Sequence, residues 1–221
     1  VRGRYHKHYL PKYGVFDEAR YFRPGTEAPI FEVAGVLVGV NICEDIWYSS
    51  GPAQEQTLAG AEVIVNINGS PFHGGKMSQR EKMLSTRASD NAVIVCYCNM
   101  FGGQDALIFP GDSMIHDPRG ELLARAPMFE DSLLVADLDV EFVTQVRLHD
   151  PRRRRLSLEP TRIIAVTQPA ASEPLVEFVE KSNAPPSWVT VWSCVWFGKL
   201  LEDSDIGILS PHICISLAWW R

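Results

Sequence analysis

The chain has 221 residues, 46% of them hydrophobic and 22% charged, which excludes wholesale disorder and suits one domain with a substantial core, with or without a tail. Its formal charge of −6 argues against a general nucleic-acid binder, which needs a basic face for phosphate contacts. No apolar run approaches the roughly 18 residues of a membrane span, and five cysteines without framework spacing fit a reduced, cytoplasmic setting.

Residues 1–28 mix polar and aromatic side chains with Pro and Gly and read as loop. Two Val/Ile/Leu-dense strands are predicted at Ile30–Val33 and Val36–Ile42, joined by an Ala34-Gly35 turn. A short helix is expected over Gln54–Ala61, then a buried strand over Glu62–Ile67, ended by Asn68-Gly69-Ser70-Pro71. Lys76–Asn91 reads as an amphipathic helix, because Met77, Arg80, Met83, Leu84, Arg87 and Ala88 share one face. A strand follows at Ala92–Cys98, where Cys96 and Cys98 read as buried structural thiols. Ser113–His116 and Glu121–Arg125 form a hairpin around Asp117-Pro118-Arg119-Gly120, then come a strand at Leu133–Leu138 and a helix at Glu141–Leu148. Strands that alternate first with helices and then with hairpins give an α/β layered fold with a mixed sheet.

The composition changes after residue 148. Residues 149–187, with the arginine run Arg152–Arg155 and scattered prolines, read as a linker. Residues 188–221 hold Trp188, Trp192, Trp196, Trp219 and Trp220, against Trp47 alone before them, and have no assigned element. The domain is therefore expected to occupy 1–148.

Two segments carry chemistry. In Val36–Trp47 a cysteine, Cys43, stands where a buried strand ends, with Glu44 and Asp45 directly after it. That places a thiol at the lip of a sheet, beside turn N–H groups suited to a developing oxyanion. The flanking acids raise a thiol pKa unless a cation offsets them. Near the N-terminus, Lys7 lies between His6 and His8 in a stretch rich in functional side chains and poor in core ones. His73 reads as a loop residue and His116 as structural, and no metal-ligand spacing is present.

Lys7-x-x-Leu10-Pro11, then Tyr13-Gly14-Val15-Phe16-Asp17-Glu18-x-Arg20-Tyr21-Phe22, then Cys43-Glu44-Asp45-x-Trp47, resemble the nitrilase (carbon–nitrogen hydrolase) superfamily. Within it, the Tyr13–Glu18 string and Asn99–Ser113 resemble the glutamine-hydrolysing domain of glutamine-dependent NAD synthetases. The resemblance covers residues 1 to about 155 and implies an α-β-β-α sandwich, incomplete at its N-terminus. It implies Cys43 as nucleophile, Lys7 as the triad lysine and Glu18 as an additional acid bracing the triad. Tyr13, Ser70 and Lys76 stand where that branch holds glutamine, with Lys76 in place of an arginine found in some members. Trp47 walls the pocket, and the backbone N–H of Glu44 joins Lys7 in holding the oxyanion.

The resemblance also implies a general-base glutamate upstream of Lys7. The chain starts at Val1, so it is expected to be a fragment with weak or no activity by itself. The implied partners are glutamine, the synthetase domain of a longer protein, and further copies of the chain. The hydrolase part needs no cofactor, whereas ATP and Mg²⁺ belong to the synthetase domain, whose phosphate loop is not found here. Gly102-Gly103-Gln104-Asp105 lacks the serine such a loop needs. Two other readings are a free-standing amidase acting on another small amide and a non-catalytic interaction module.

Overall fold

The computed structural model describes residues 2–151, 163–166, 190–198 and 212–220. A seven-stranded mixed sheet organises them, in the order β10 (Ile163–Ala165), β1 (Ile30–Val33), β2 (Val36–Ile42), β3 (Val63–Asn68), β4 (Ile94–Asn99), β7 (Met114–His116) and β8 (Leu122–Arg125). Its centre is three parallel strands, β2 (Val36–Ile42), β3 (Val63–Asn68) and β4 (Ile94–Asn99). The strand β1 (Ile30–Val33) pairs antiparallel with β2 across the expected turn. Ala34 and Gly35 there have φ of 52° and 84°, the left-handed pair of a tight hairpin. On the far side β7 (Met114–His116) and β8 (Leu122–Arg125) add the expected hairpin.

Alternation along the strands sorts the core into two layers. Val63, Val65, Ile94, Cys96 and Cys98 face one side, where they meet Leu138, Val140 and Val143. Ile64, Val95 and Tyr97 face the other and pack on Ile46, Leu84 and Ala88. The second layer is built by α1 (Pro52–Leu58) and α2 (Lys76–Asn91). In α2 the buried residues are Arg80, Leu84, Ala88 and Asn91, on the face the sequence indicated. Burying a leucine such as Leu84 stabilises by roughly 1.5–3 kcal/mol. The first layer carries β9 (Val135–Asp137) and α3 (Val140–His149). A two-stranded hairpin, β5 (Phe101–Gln104) and β6 (Leu107–Pro110), stands apart from the main sheet.

Boundaries moved by one to three residues at α1, β3, β4 and β9, where the local pattern does not specify the ends. Two larger differences concern the C-terminal third. Within the expected linker, β10 (Ile163–Ala165) pairs parallel with β1 at the sheet edge. An edge strand offers unpaired N–H and C=O groups that a returning segment satisfies. The tail supplies β11 (Thr190–Gly198) and β12 (His212–Trp220), an antiparallel pair whose β12 joins β9 in a three-stranded sheet. Their apolar-rich sequences, broken only at Ser193 and Ser216 between the ends, do not show the two-residue period by which a half-buried strand is read. The Arg152–Arg155 run and Trp188 lie outside the described residues.

One side chain ties the lower edge of the sheet together. Arg147 of α3 donates to the Ala92 carbonyl at 3.0 Å, to the Gly60 carbonyl at 3.4 Å and to the Ala61 carbonyl. Hydrogen bonds from a charged group contribute about 1.5–3 kcal/mol each, though not additively. Arg147→Met is therefore expected to lower stability by about 2–4 kcal/mol, read as a reduced midpoint in urea with an unchanged slope. A midpoint within error of the parent chain would contradict this clamp.

Candidate active site

At Ile42 strand β2 gives way to a 3₁₀ helix, Cys43–Trp47. Cys43 enters it with φ of 46°, in the left-handed region that a Cβ disfavours. Such strain persists only where the surroundings over-determine it, and here they do. From the front, the buried Asp45 carboxylate accepts the Ile42 N–H at 3.0 Å. From behind, Arg87 of α2 donates to the carbonyls of Ile46 at 3.0 Å and Trp47 at 2.8 Å. Beneath the strand ends lies a ladder of buried amides. Asn66 donates to Asn41 at 2.6 Å, and Asn68 donates to Asn66 at 2.7 Å.

The lysine arrives on the irregular segment that precedes the first 3₁₀ turn. Lys7 Nζ donates to both oxygens of Glu18, at 2.8 and 2.6 Å. Its side chain is 11% exposed, so this charge-assisted pair fixes the ammonium in one place. Glu18 opens a 3₁₀ turn, Glu18–Arg20, folded back so that its N–H reaches the Pro11 carbonyl at 3.2 Å. Glu44 takes another contact, accepting the Tyr13 hydroxyl at 2.6 Å. Partial burial and then this bond push the Tyr13 phenol above its ordinary range.

Lys76 begins α2, where the helix dipole disfavours a cation. Its Nζ sits 5.7 Å from the centre of the Trp47 ring, within cation–π reach. Burial and then the neighbouring Arg80 lower its pKa, while Cys43 and Glu44 act in the opposite sense. An ammonium in so unfavourable a place is suited to an anionic group brought by a ligand.

Cys43 is the point where these fields meet. Burial pushes its thiol up, Lys7 and then Lys76 pull it down, and Glu44 and Glu18 push it up. The structure thus groups Cys43, Lys7, Glu18, Glu44 and Lys76, with Trp47 beside Lys76 and Tyr13 on Glu44. Ser70 is set further back. It is buried, its N–H is held by Asn99 at 2.9 Å, and its hydroxyl accepts from Arg80 at 3.3 Å.

Sequence reasoning missed Asp45, Arg80, Arg87, Asn99 and the amide ladder as site supports. Arg80 is fully buried, 3.8 Å from Asp112 and over the Tyr97 ring. The available signal was two arginines on the apolar face of a helix. His73 is an exposed loop residue whose Nδ1 lies 2.8 Å from the Gly74 carbonyl, whereas His116 is buried in β7. Among the described residues no cluster of three His, Cys, Asp or Glu side chains is placed to hold a metal. A cavity of about 660 Å³ lined by Arg2, Arg4, His6, Arg23 and Glu27 lies along the segment that carries Lys7, and Cys43 is not in its wall.

A strand-end thiol flanked by ammonium and carboxylate groups is an arrangement whose chemistry suits attack on a carbonyl-type carbon. The carbon–nitrogen hydrolase family profile matches residues 1–148, and the chain belongs to that family. The glutamine-dependent NAD(+) synthetase of Aquifex aeolicus is 49% identical over 154 residues, 70% of this chain and 27% of that protein. Its counterpart in Thermotoga maritima is 44% identical over 160 residues, 72% of this chain and 28% of that one. The chain therefore spans about a quarter of the length of these curated relatives. Among solved structures, the glutamine-dependent NAD+ synthetase of Acinetobacter baumannii, in complex with ADP, superposes with a TM-score of 0.55 at 40% identity. That match covers 57% of this chain and 24% of the other. A carbon–nitrogen hydrolase from Helicobacter pylori G27 superposes with a TM-score of 0.62 at 26% identity, over 69% of this chain and 57% of that one.

Proposed function

We propose that this chain hydrolyses the side-chain amide of glutamine, as the ammonia-supplying part of a glutamine-dependent NAD synthetase. The observation that carries the reading is Cys43 at the end of β2, with the Glu18-held Lys7 ammonium on a segment bound to the same turn through Asp45. The likeness to NAD synthetases at 40–49% identity favours glutamine over other amides in this reading.

In this reading the Cys43 sulfur attacks the carboxamide carbon. The oxygen that becomes negative is held by Lys7 and by the N–H of Glu44, which lies in the first turn of the 3₁₀ helix and has no acceptor within that turn. A preorganised donor there is worth about 3–4 kcal/mol in the barrier. The carbon–nitrogen bond breaks, the nitrogen gains the proton given up by the thiol, and ammonia leaves. A γ-glutamyl thioester remains, and water cleaves it to glutamate and the free thiol. Tyr13, Trp47 and Lys76 line the substrate pocket, with Lys76 facing the α-carboxylate and the buried Ser70 behind them.

Because burial raises the Cys43 thiol, attack needs a group to take its proton. Glu18 is engaged by Lys7 and Glu44 by Tyr13, so neither is free to serve. With Glu18 and Glu44 so engaged and no other base assigned among the described residues, turnover by the chain alone is expected to be lower by about 10²–10⁴-fold.

The ammonia would pass to the synthetase domain, where ATP and Mg²⁺ act. The residues here do not fit a phosphate cradle. Gly102–Gln104 lie in strand β5 of a hairpin and not at a strand-to-helix turn. A cytoplasmic setting and assembly into a homo-oligomer belong to the same proposal. Among the described residues no helix is long and apolar enough to cross a membrane.

Ammonia release from glutamine, set against a panel of aliphatic amides and N-carbamoyl compounds, tests the reading. Slow release selective for glutamine is expected. Faster release from another amide would overturn it in favour of a different amidase.

A further inference from the structure

Asp45 has no part in the chemistry above, yet it is fully buried and saturated. Its Oδ2 accepts the Tyr5 hydroxyl at 2.7 Å and the Ile42 N–H at 3.0 Å. Its Oδ1 accepts the N–H groups of His8 at 3.1 Å and Tyr9 at 2.9 Å. A carboxylate has about four acceptor sites, and all four are taken by neutral donors. A buried ion is tolerated only when its bonds are complete, so these contacts are mutually required.

The placement of the donors matters more than their number. Three come from the segment 5–9, on both sides of Lys7, and the fourth from the residue before Cys43. Nothing else described ties these two stretches so directly. The Lys7 carbonyl is separately held by the Gly25 N–H at 2.8 Å. The backbone on which Lys7 stands is therefore fixed relative to the turn on which Cys43 stands, across 36 to 40 positions of sequence.

We propose that Asp45 is a positioning residue that sets the reach of the Lys7 ammonium to the Cys43 sulfur. It rests on the hydrolase reading for its consequence, but its test needs no glutamine. A merely structural carboxylate would loosen the whole fold. A positioning one would change Cys43 alone, and would act through Lys7.

The test is the rate of Cys43 alkylation by iodoacetamide as a function of pH, followed by peptide mass on the full 221-residue chain. Asp45→Asn, Tyr5→Phe, Lys7→Met and the Asp45→Asn/Lys7→Met double variant are compared with the parent. The charged or titratable groups facing the thiol are Lys7, Lys76, Glu44 and Glu18, with the phenols of Tyr13 and Tyr97, and Lys7 is the one whose influence is expected to be lost. Lys7→Met should move the profile to higher pH and slow neutral alkylation about tenfold, the equivalent of one pKa unit. Asp45→Asn should move it the same way, and the double variant no further than Lys7→Met alone. Tyr5→Phe removes one donor, keeps the carboxylate and should give a smaller shift of the same sign. It decides the matter should Asp45→Asn not fold. A parent-like profile in both Asp45→Asn and Tyr5→Phe, additive shifts in the double variant, or unmasking of the buried Cys96 and Cys98 would each overturn the proposal. Failure of the hydrolase reading would appear instead in ammonia release.

Discussion

Cys43→Ala is expected to reduce ammonia release from glutamine to the uncatalysed background. The sulfur is the group that forms and breaks the covalent bond in the proposed reaction, and among the described residues no second accessible thiol is available to substitute. Cys96 and Cys98 are buried on the opposite face of the sheet, among Val65, Ile115 and Leu138. Burial holds the Cys98 thiol at about 12 and raises that of Cys96 as well. Removal of a nucleophile from a working site costs roughly 10³-fold or more. An enzyme-coupled ammonia assay with glutamine in excess reads the loss. Release retained within tenfold of the parent would place the chemistry elsewhere in the chain.

Lys7→Met is expected to lower kcat for glutamine by about 10²–10³-fold, the usual consequence of removing one oxyanion donor, with a much smaller change in KM. Methionine keeps the length and apolar stem of lysine and removes only the ammonium. Two effects combine. The oxyanion loses a donor, and the thiol loses the strongest influence pulling its pKa down, Lys7 being ahead of Lys76. Because burial already raises that thiol, the thiolate is the minor form at neutral pH. Alkylation of the parent chain should therefore rise about tenfold per pH unit through neutrality and level off only above the ordinary thiol range. The Lys7→Met profile should run parallel and later. A kcat within threefold of the parent would contradict the assigned role.

The parts of this molecule that could be read in advance are those governed by local pattern. Val36–Ile42, Glu62–Ile67 and Ala92–Cys98 are apolar runs with β-branched residues between turn signals, and each holds most of a strand of the central sheet. The inward face of α2 followed from the spacing of Met83, Leu84 and Ala88. Cys43 stood out because acids follow a buried strand directly. What local pattern does not carry is the identity of distant partners. Asp45 read as one more acid in a turn, because its donors Tyr5, His8 and Tyr9 lie far back in the chain. Asn41 and Asn66 sit inside apolar strands and make sense only once strand register sets them side by side. Ile163–Ala165 has too few residues to declare a period, and it becomes a strand by pairing with the exposed edge of β1.

The most direct measurement is labelling of the chain by a chloromethyl ketone derived from glutamine, which carries an electrophilic carbon where the amide nitrogen would be. Modification confined to Cys43, saturable in reagent and slowed by excess glutamine, is expected if this thiol stands at the end of a glutamine pocket. Labelling spread over Cys43 and the chain's four other cysteines without saturation, or unaffected by glutamine, would show that Cys43 is a reactive thiol without a glutamine site.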